Sequence, residues 1–89
     1  MEKWRIIFSQ RGQKDWKLVV KSEYIEKVVN LLELIEEDPF KEPPSLKQLQ
    51  GDMKGAFSRR INHQHRLVYR VDREKHIVNI IMIWLHYEQ

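Results

Sequence analysis

Residues 56–72, AFSRRINHQHRLVYRVD, have the pattern of a β-hairpin. Apolar and polar side chains alternate with a period of two, which predicts strands over residues 56–62 and 65–72. The turn between them, Asn62 to Gln64, is short, so the two strands are antiparallel neighbours. A second short turn follows at residues 72–75, and the alternation after it predicts a third strand from His76 to Tyr87.

Upstream of the hairpin, the sequence predicts a short strand and an amphipathic helix. Residues 4–8 are apolar apart from Arg5, with β-branched and aromatic side chains that are typical of a strand. Ser9 then supplies a hydroxyl that can cap a helix over residues 10–20, which Gly12 weakens. The apolar residues of this helix recur at helical spacing. They are Trp16, Val19 and Val20.

A second helix is predicted from Ser22, as N-cap, to Asp38-Pro39, where proline ends it. Its apolar stripe consists of Ile25, Val28, Leu32 and Ile35. Residues 39–55 show little periodicity, so we predict an ordered surface loop. The element order is therefore β-α-α-β-β-β in one domain, residues 1–89. We predict an α+β fold with an antiparallel sheet, two helices packed on one face and the other face open to ligands.

The composition and charge restrict the class of protein. A chain of 89 residues supports one modest core, and 42% hydrophobic with 33% charged residues is typical of a globular domain. The net charge of +3 is mild, but residues 54–70 carry five cations and no acid, which suggests an anionic partner. The absence of cysteine excludes disulfides, zinc–thiolate sites and thiol catalysis.

Membrane and metal sites have no support in the sequence. The apolar run at residues 77–85 is too short to cross a bilayer as a helix, and no signal peptide is recognisable at the N-terminus. The four histidines lack the spacing of metal ligands. We therefore expect a cytoplasmic protein without membrane contact, metal or cofactor.

The alternation predicts a phosphate site on the open face of the sheet. We expect one set of residues to face the helices: Phe57, Leu67, Tyr69, Ile81 and Ile83. Arg60, Arg66 and His86 then project from the opposite face. Guanidinium groups can grip a phosphate and stabilise a pentacovalent phosphorane. A histidine can protonate the leaving 5′ oxygen while the ribose 2′-hydroxyl attacks, which would confine the reaction to RNA and require no metal.

Other basic residues have simpler interpretations. Arg59, Arg70 and Arg73, taken singly, are expected to be solvated or ion-paired at the surface. His63 and His76 are expected in turns, and His65 as a structural hydrogen bonder. From periodicity alone, the sequence predicts a basic α+β domain for which RNA binding is one option.

Three short motifs resemble the YoeB toxins of bacterial toxin–antitoxin pairs, within the RelE superfamily. They are Ser58-Arg59-Arg60-Ile61-Asn62, His65-Arg66-Leu67-Val68-Tyr69 and the terminal His86-Tyr87. The resemblance implies a RelE-like fold and an endoribonuclease that cleaves messenger RNA in the ribosomal A site. It also implies a cognate YefM/Phd-like antitoxin, and operator DNA bound only by the toxin–antitoxin complex.

The resemblance also implies roles for individual residues. Arg66 resembles the transition-state arginine of the family and His86 its general acid, while Arg60 and Tyr87 resemble supporting residues. The general base departs from the family's Pro-Glu-x-Leu-Lys pattern, since this chain reads Pro43-Pro44-Ser45-Leu46-Lys47.

Two residues are candidates for the missing base. A direct match of the motif places Pro44 at the glutamate position, whereas a count back from Gly55 without gaps places Lys47 there. Glu42 is a possible displaced base, and Lys47 is a possible base or a purely electrostatic group. Ordinary solvated loop charges are an equally good interpretation of both.

Alternative functions remain open. A non-catalytic ParE-like inhibitor, or a degenerate toxin that acts as a regulatory subunit with its antitoxin, would have no evident need for the arginine, arginine and histidine set. A plain RNA- or DNA-binding module is poorly supported, because the charge is mild and no known binding motif occurs. The sequence therefore favours the nuclease.

Overall fold

The structure, a computed structural model, describes residues 2–83. It contains two α-helices and five strands, in the order β1 Arg5–Phe8, α1 Gln10–Val20, α2 Ile25–Glu37, β2 Lys47–Gln48, β3 Phe57–Arg60, β4 Arg66–Asp72 and β5 Ile77–Ile83, with a single 3-10 turn at Gly51–Met53. The predicted order is confirmed, with β2 as an addition inside the predicted loop. Neither helix in this part of the chain is long and apolar enough to cross a membrane.

The five strands form one mixed sheet in the order β1-β5-β4-β3-β2. The strands β2 to β5 pair antiparallel, as predicted for the hairpins. β1 pairs in parallel with β5, from Arg5 opposite Ile77 to Phe8 opposite Ile80. A parallel pair needs a long crossover, and the two helices lie in the segment that connects β1 to the rest of the sheet. The α+β class is therefore confirmed, with one parallel pair at the sheet edge.

One apolar core lies between the helices and one face of the sheet. Its fully or almost fully buried members are Val19, Val28, Leu31 and Ile35 from the helices and Ile61, Leu67, Tyr69, Val78, Ile80 and Ile83 from the sheet. Trp16, Ile25 and Leu32 pack against this cluster while keeping some exposure. The helices thus cover the face that the sequence predicts.

Two positions differ from the predicted core. Val20 is 51% exposed at the end of α1, whereas its neighbour Val19 is fully buried. The alternation also predicts Ile81 in the core, but Ile80 is fully buried there and Ile81 is only half-buried. The reason is a β-bulge in the β4–β5 pair, where one extra residue shifts the alternation of β5.

The N-cap residue Ser9 and the first half of α1 supply hydrogen-bond partners to the end of β5. The Ser9 backbone N–H donates to the Ile80 carbonyl at 3.0 Å, and the Ser9 hydroxyl donates to the Ile81 carbonyl at 2.8 Å. The backbone N–H of Ile83 donates to the buried carboxylate of Asp15 at 3.0 Å. These contacts fix the last described residues of β5 beyond the point where β1 ends.

Gly12 makes this close approach possible. A Cβ atom at this position would collide with the carbonyl oxygen of Ile80. Ser9 caps the helix as predicted, because its hydroxyl accepts from the Gly12 N–H at 3.0 Å. The glycine that weakens the helix by propensity is therefore required by the packing of α1 on β5.

Ser22 has a different role from the predicted N-cap. The second helix begins at Ile25, and Tyr24 is its N-cap residue. The Ser22 hydroxyl instead donates to the Val19 carbonyl at 2.8 Å and accepts from the Tyr24 N–H at 3.1 Å. The predicted N-cap is thus wrong, because the Ser22 hydroxyl stabilises the turn between the two helices and α2 begins only after Tyr24.

Candidate active site

A cleft of about 530 Å³ opens where β3 turns into β4. Four cationic side chains line it: Lys27, Lys47, Arg60 and Arg66. The other polar residues of the lining are Ser45, Ser58, Asn62 and His63. Within residues 2–83, no carboxylate contributes to this lining. The cleft is therefore suited to an anion.

Arg60 and Arg66 occupy directly opposed positions on β3 and β4. Directly opposed residues of antiparallel strands have their side chains on the same face, and like charges placed in this way destabilise the pair. An anion between them removes this repulsion, and two guanidinium groups match the oxygens of a phosphate. Arg66 also donates to the Ser58 hydroxyl at 3.4 Å, a long contact that leaves its other donors available.

The short strand β2 brings Lys47 to the same cleft. Lys47 lies opposite Ser58, and Ser58 precedes Arg60 by two residues on β3. The side chains of Lys47, Ser58 and Arg60 therefore share one face of the sheet. Glu42 lies elsewhere: its carboxylate accepts from the Leu46 N–H at 3.0 Å on the exposed side of the loop, and it is not part of the cleft lining.

The structure therefore brings together three of the six predicted site residues, namely Lys47, Arg60 and Arg66. Glu42 lies outside this group. His86 and Tyr87 lie outside the described residues.

Arg59 contradicts the prediction of a surface arginine, because it is fully buried. Its Nε atom donates to the Tyr69 hydroxyl at 3.0 Å, and its Nη1 atom donates to the Pro44 carbonyl at 2.8 Å. Its Nη2 atom donates to the carbonyls of Lys41 at 2.7 Å and Pro39 at 3.1 Å. The alternation of β3 places Arg59 on the helix-covered face, where residues 39–44 fold over its guanidinium group.

Tyr69 completes this buried network. Its hydroxyl donates to the Pro39 carbonyl at 2.7 Å while it accepts from Arg59. Burial raises the pKa of the Tyr69 hydroxyl above its ordinary value of 10.0, and the positive charge of Arg59 opposes part of this shift. Tyr69 therefore keeps its proton, which the bond to Pro39 requires.

The described histidines occupy the expected kinds of position. His65 is buried, its ring lies edge-on to that of Tyr24, and its carbonyl accepts from the Ile61 N–H at 2.8 Å. His76 lies in the turn before β5 with a φ of 61°, and its ring stacks on Trp4 at 3.8 Å. His63 lies in the bend between β3 and β4. It also lines the cleft, a position that its turn assignment does not reveal.

Residues 8–87 match the family described as the YoeB-like toxin of bacterial type II toxin–antitoxin systems. The chain belongs to the YoeB toxin family. Over 68 residues it is 37% identical to Toxin YoeB of Streptomyces coelicolor, a match that covers 74% of this chain and 81% of that protein.

Solved structures of the family have the same fold. A YoeB/ParE toxin from Agrobacterium tumefaciens is 28% identical, with a TM-score of 0.83, over 93% of this chain and 99% of that chain. The toxin in a YoeB-YefM complex from Staphylococcus aureus is 31% identical, with a TM-score of 0.80, over 94% of this chain and 98% of that chain. The predicted family and fold are therefore confirmed.

Sequence reasoning did not predict that Lys27 and His63 line the cleft. It also did not predict that Arg59 supports the loop. Lys27 comes from the exposed side of α2, and strand alternation carries no information about it. His63 lies in a turn, where side-chain direction follows no regular period. Neither residue offers a pattern that would have placed it beside Arg60.

Proposed function

We propose that this toxin is a ribosome-dependent endoribonuclease that cleaves messenger RNA in the ribosomal A site, with the scissile phosphate bound in the cleft. The observation that carries this proposal is the direct opposition of Arg60 and Arg66 in a cleft lined by four cations. The repulsion between the two arginines is relieved when a phosphate lies between them. Membership of the YoeB family supports the same function.

The proposed reaction is an attack of the ribose 2′-hydroxyl on its own 3′-phosphate. The bond from phosphorus to the 2′ oxygen forms, and the bond to the 5′ oxygen of the next nucleotide breaks. His86 gives its proton to that leaving oxygen, while Arg66 and Arg60 stabilise the extra negative charge on the phosphorane. The products are a 2′,3′-cyclic phosphate and a 5′-hydroxyl end. Tyr87 is proposed to support the site.

The separation of His86 from Ile83 in the sequence limits where the proposed general acid can act. Ile83 pairs with Leu67, which directly follows Arg66 in the sequence. His86 comes three residues after Ile83, and three residues of extended chain span at most roughly 10 Å. The general-acid role proposed for His86 therefore requires the phosphate bound by Arg66 to lie within this distance of Ile83.

Lys47 is proposed to occupy the place of the missing glutamate. It lines the cleft on the same face as Arg60, whereas the Glu42 carboxylate is engaged by the Leu46 N–H outside the cleft lining. Lys47 either accepts the proton of the 2′-hydroxyl as a neutral amine, or adds positive charge beside the phosphate while water accepts that proton. Lys47→Gln is expected to lower cleavage, while Glu42→Gln leaves it within about twofold of the wild type, as is usual for a surface substitution. A large loss with Glu42→Gln alone would reverse this assignment.

The proposed partners follow from the same function. The Staphylococcus aureus relative is described in a complex with YefM. We propose that a YefM/Phd-like antitoxin neutralises this chain in the cytoplasm, and that operator DNA is bound only by the complex. An equimolar amount of the antitoxin is expected to abolish cleavage.

The proposed function is tested by incubating the purified chain with ribosomes that carry a defined message and mapping the new 5′ ends. The wild type is expected to cut in the A site. Arg66→Ala should lower the rate about 100- to 1,000-fold, the usual cost of removing one group that stabilises transition-state charge. His86→Gln should lower the rate about 100-fold or more, as for the loss of a general acid.

Arg5→Ala is the matched control, because Arg5 is exposed on β1, outside the cleft lining. An intact message with the wild type would contradict the nuclease and favour the ParE-like inhibitor or the degenerate regulatory subunit. Equal cleavage by His86→Gln would remove only the general-acid assignment.

A further inference from the structure

The guanidinium of Arg59 is a buried charge that has no ion-pair partner among residues 2–83. An isolated charge in a protein interior is costly unless hydrogen bonds replace its water. Arg59 obtains four such bonds, three to backbone carbonyls and one to the Tyr69 hydroxyl.

All three carbonyls belong to one short segment, residues 39–44. This segment contains no helix or strand, and three of its six residues are prolines. Proline has no backbone N–H, and the N–H groups of Phe40 and Lys41 donate to Asp38, so the segment has few donors left for its own carbonyls. The side chain of Arg59 supplies the missing donors, and it therefore determines the path of the segment.

The end of this segment is part of the cleft. Pro44 and Ser45 line the cleft directly, and Lys47 follows two residues later. The bond of 2.8 Å from Arg59 to the Pro44 carbonyl joins the buried side of β3 to this wall. The opposite wall is formed by Arg60, the next residue of the chain, and by Arg66. Two consecutive arginines thus serve the two walls of one cleft.

We infer that Arg59 is a positioning residue that sets the separation between the Pro44–Lys47 wall and the Arg60–Arg66 wall. Tyr69 assists, because its hydroxyl bonds both Arg59 and the Pro39 carbonyl. The kinetic consequence of this inference rests on the proposed nuclease function. The placement of the Pro44–Lys47 wall by Arg59 does not depend on that function, and it is measured separately.

The experiment compares Arg59→Lys with Arg5→Lys, a control that makes the same chemical change at an exposed position on β1. Lysine keeps the charge but has one ammonium group, so it cannot span the three carbonyls and the hydroxyl as a guanidinium does. Hydrogen exchange of the amides in residues 41–48 and the affinity for a 2′-O-methyl RNA, which resists cleavage, report the wall without any catalysis. Message cleavage on programmed ribosomes reports the catalytic consequence. All rates are measured at a temperature where unfolding curves show each variant folded.

Arg59→Lys is expected to speed exchange in residues 41–48 at least tenfold and to weaken binding of the 2′-O-methyl RNA several-fold, while exchange in β5 stays unchanged. Cleavage is expected to fall roughly 10- to 100-fold, as for a small misplacement of groups around a reacting phosphate. Tyr69→Phe, which removes one hydroxyl and keeps the arginine, should change exchange and cleavage in the same direction by a smaller factor. This variant decides the matter if Arg59→Lys does not fold.

A double-mutant cycle with Lys47→Gln separates positioning from general stability. If Arg59 acts by placing the wall that includes Lys47, the effect of Lys47→Gln should shrink to less than about twofold in the Arg59→Lys chain. Additive effects, or unchanged exchange in residues 41–48, would overturn the inference. If the wild type leaves the message intact, the nuclease proposal fails, while exchange and RNA affinity still support or overturn the placement of the wall by Arg59.

Discussion

Arg59 and Arg60 are adjacent in the chain and lie in opposite environments. Arg59 is fully buried under residues 39–44 and bonds only protein groups among the described residues, whereas Arg60 is exposed and faces Arg66 across the cleft. The alternation of β3 produces this difference from one residue type. Its consequence is a division between a covered face that supports the fold and a cleft face to which we assign the proposed chemistry.

The strongest test of this division replaces each arginine by alanine. Arg59→Ala removes the donors for three carbonyls and one hydroxyl, so it should lower the free energy of unfolding by about 3 kcal/mol. Arg60→Ala should change it by less than about 0.5 kcal/mol, or raise it slightly, because it ends a repulsion with Arg66. Urea unfolding of the two variants measures both values, and similar losses would remove the distinction between the two faces.

The buried carboxylate of Asp15 stabilises the end of β5 on the helix-covered face of the sheet. Asp15→Ala should lower the free energy of unfolding by about 2 kcal/mol, since the buried N–H of Ile83 loses its acceptor. Asp52→Ala is the matched control, because Asp52 is exposed. Urea unfolding of both variants tests this, and an equal, small effect would show that the Asp15–Ile83 bond contributes little.

Gly12 tests the close packing of α1 on the same strand. Gly12→Ala should destabilise the protein by about 1 kcal/mol, because overpacking costs about 1–3 kcal/mol and exceeds the ~1 kcal/mol that alanine gains in a helix. Lys17→Ala, on the exposed side of α1, should be neutral or stabilising. A higher melting temperature for Gly12→Ala would contradict the contact with the Ile80 carbonyl.

Because of Tyr69, the stability of the protein is expected to depend on pH in the alkaline range. Its folded-state pKa is raised, so its contribution to stability is complete below the ordinary pKa of 10.0 and is lost as the pH rises through the raised value. Tyr69→Phe should cost about 2 kcal/mol at neutral pH, because it removes two hydrogen bonds that are usually worth about 1 kcal/mol each. It should also reduce the fall in stability above about pH 10. The free energy of unfolding of wild type and variant is measured as a function of pH. An equal fall for both above about pH 10 would show that Tyr69 is not the cause.

The cleft face was predictable because strand alternation is local. The sequence places Arg60 and Arg66 on one side of two neighbouring strands, and the structure pairs them directly. The family resemblance, confirmed by the match over residues 8–87, makes Lys47 and Glu42 the candidates for the general base. The separation of these two residues was not predictable, because it depends on the fold of the loop that carries both.

The covered face was less predictable because its features depend on contacts between distant segments. The burial of Arg59 requires carbonyls 15 to 20 residues away in the sequence. The bulge that exchanges Ile81 for Ile80 in the core belongs to a pair of strands and not to either sequence alone. The parallel pairing of β1 likewise depends on a partner that is distant in the chain.

The division between the two faces is best tested by measuring message cleavage and unfolding on the same preparations of wild type, Arg60→Ala and Arg66→Ala. We predict that the wild type cuts the message in the A site. Both variants should lose at least about 100-fold in rate, while their free energies of unfolding stay within about 0.5 kcal/mol of the wild type. Variants that cut the message as fast as the wild type would contradict the assignment of this cleft as the active site.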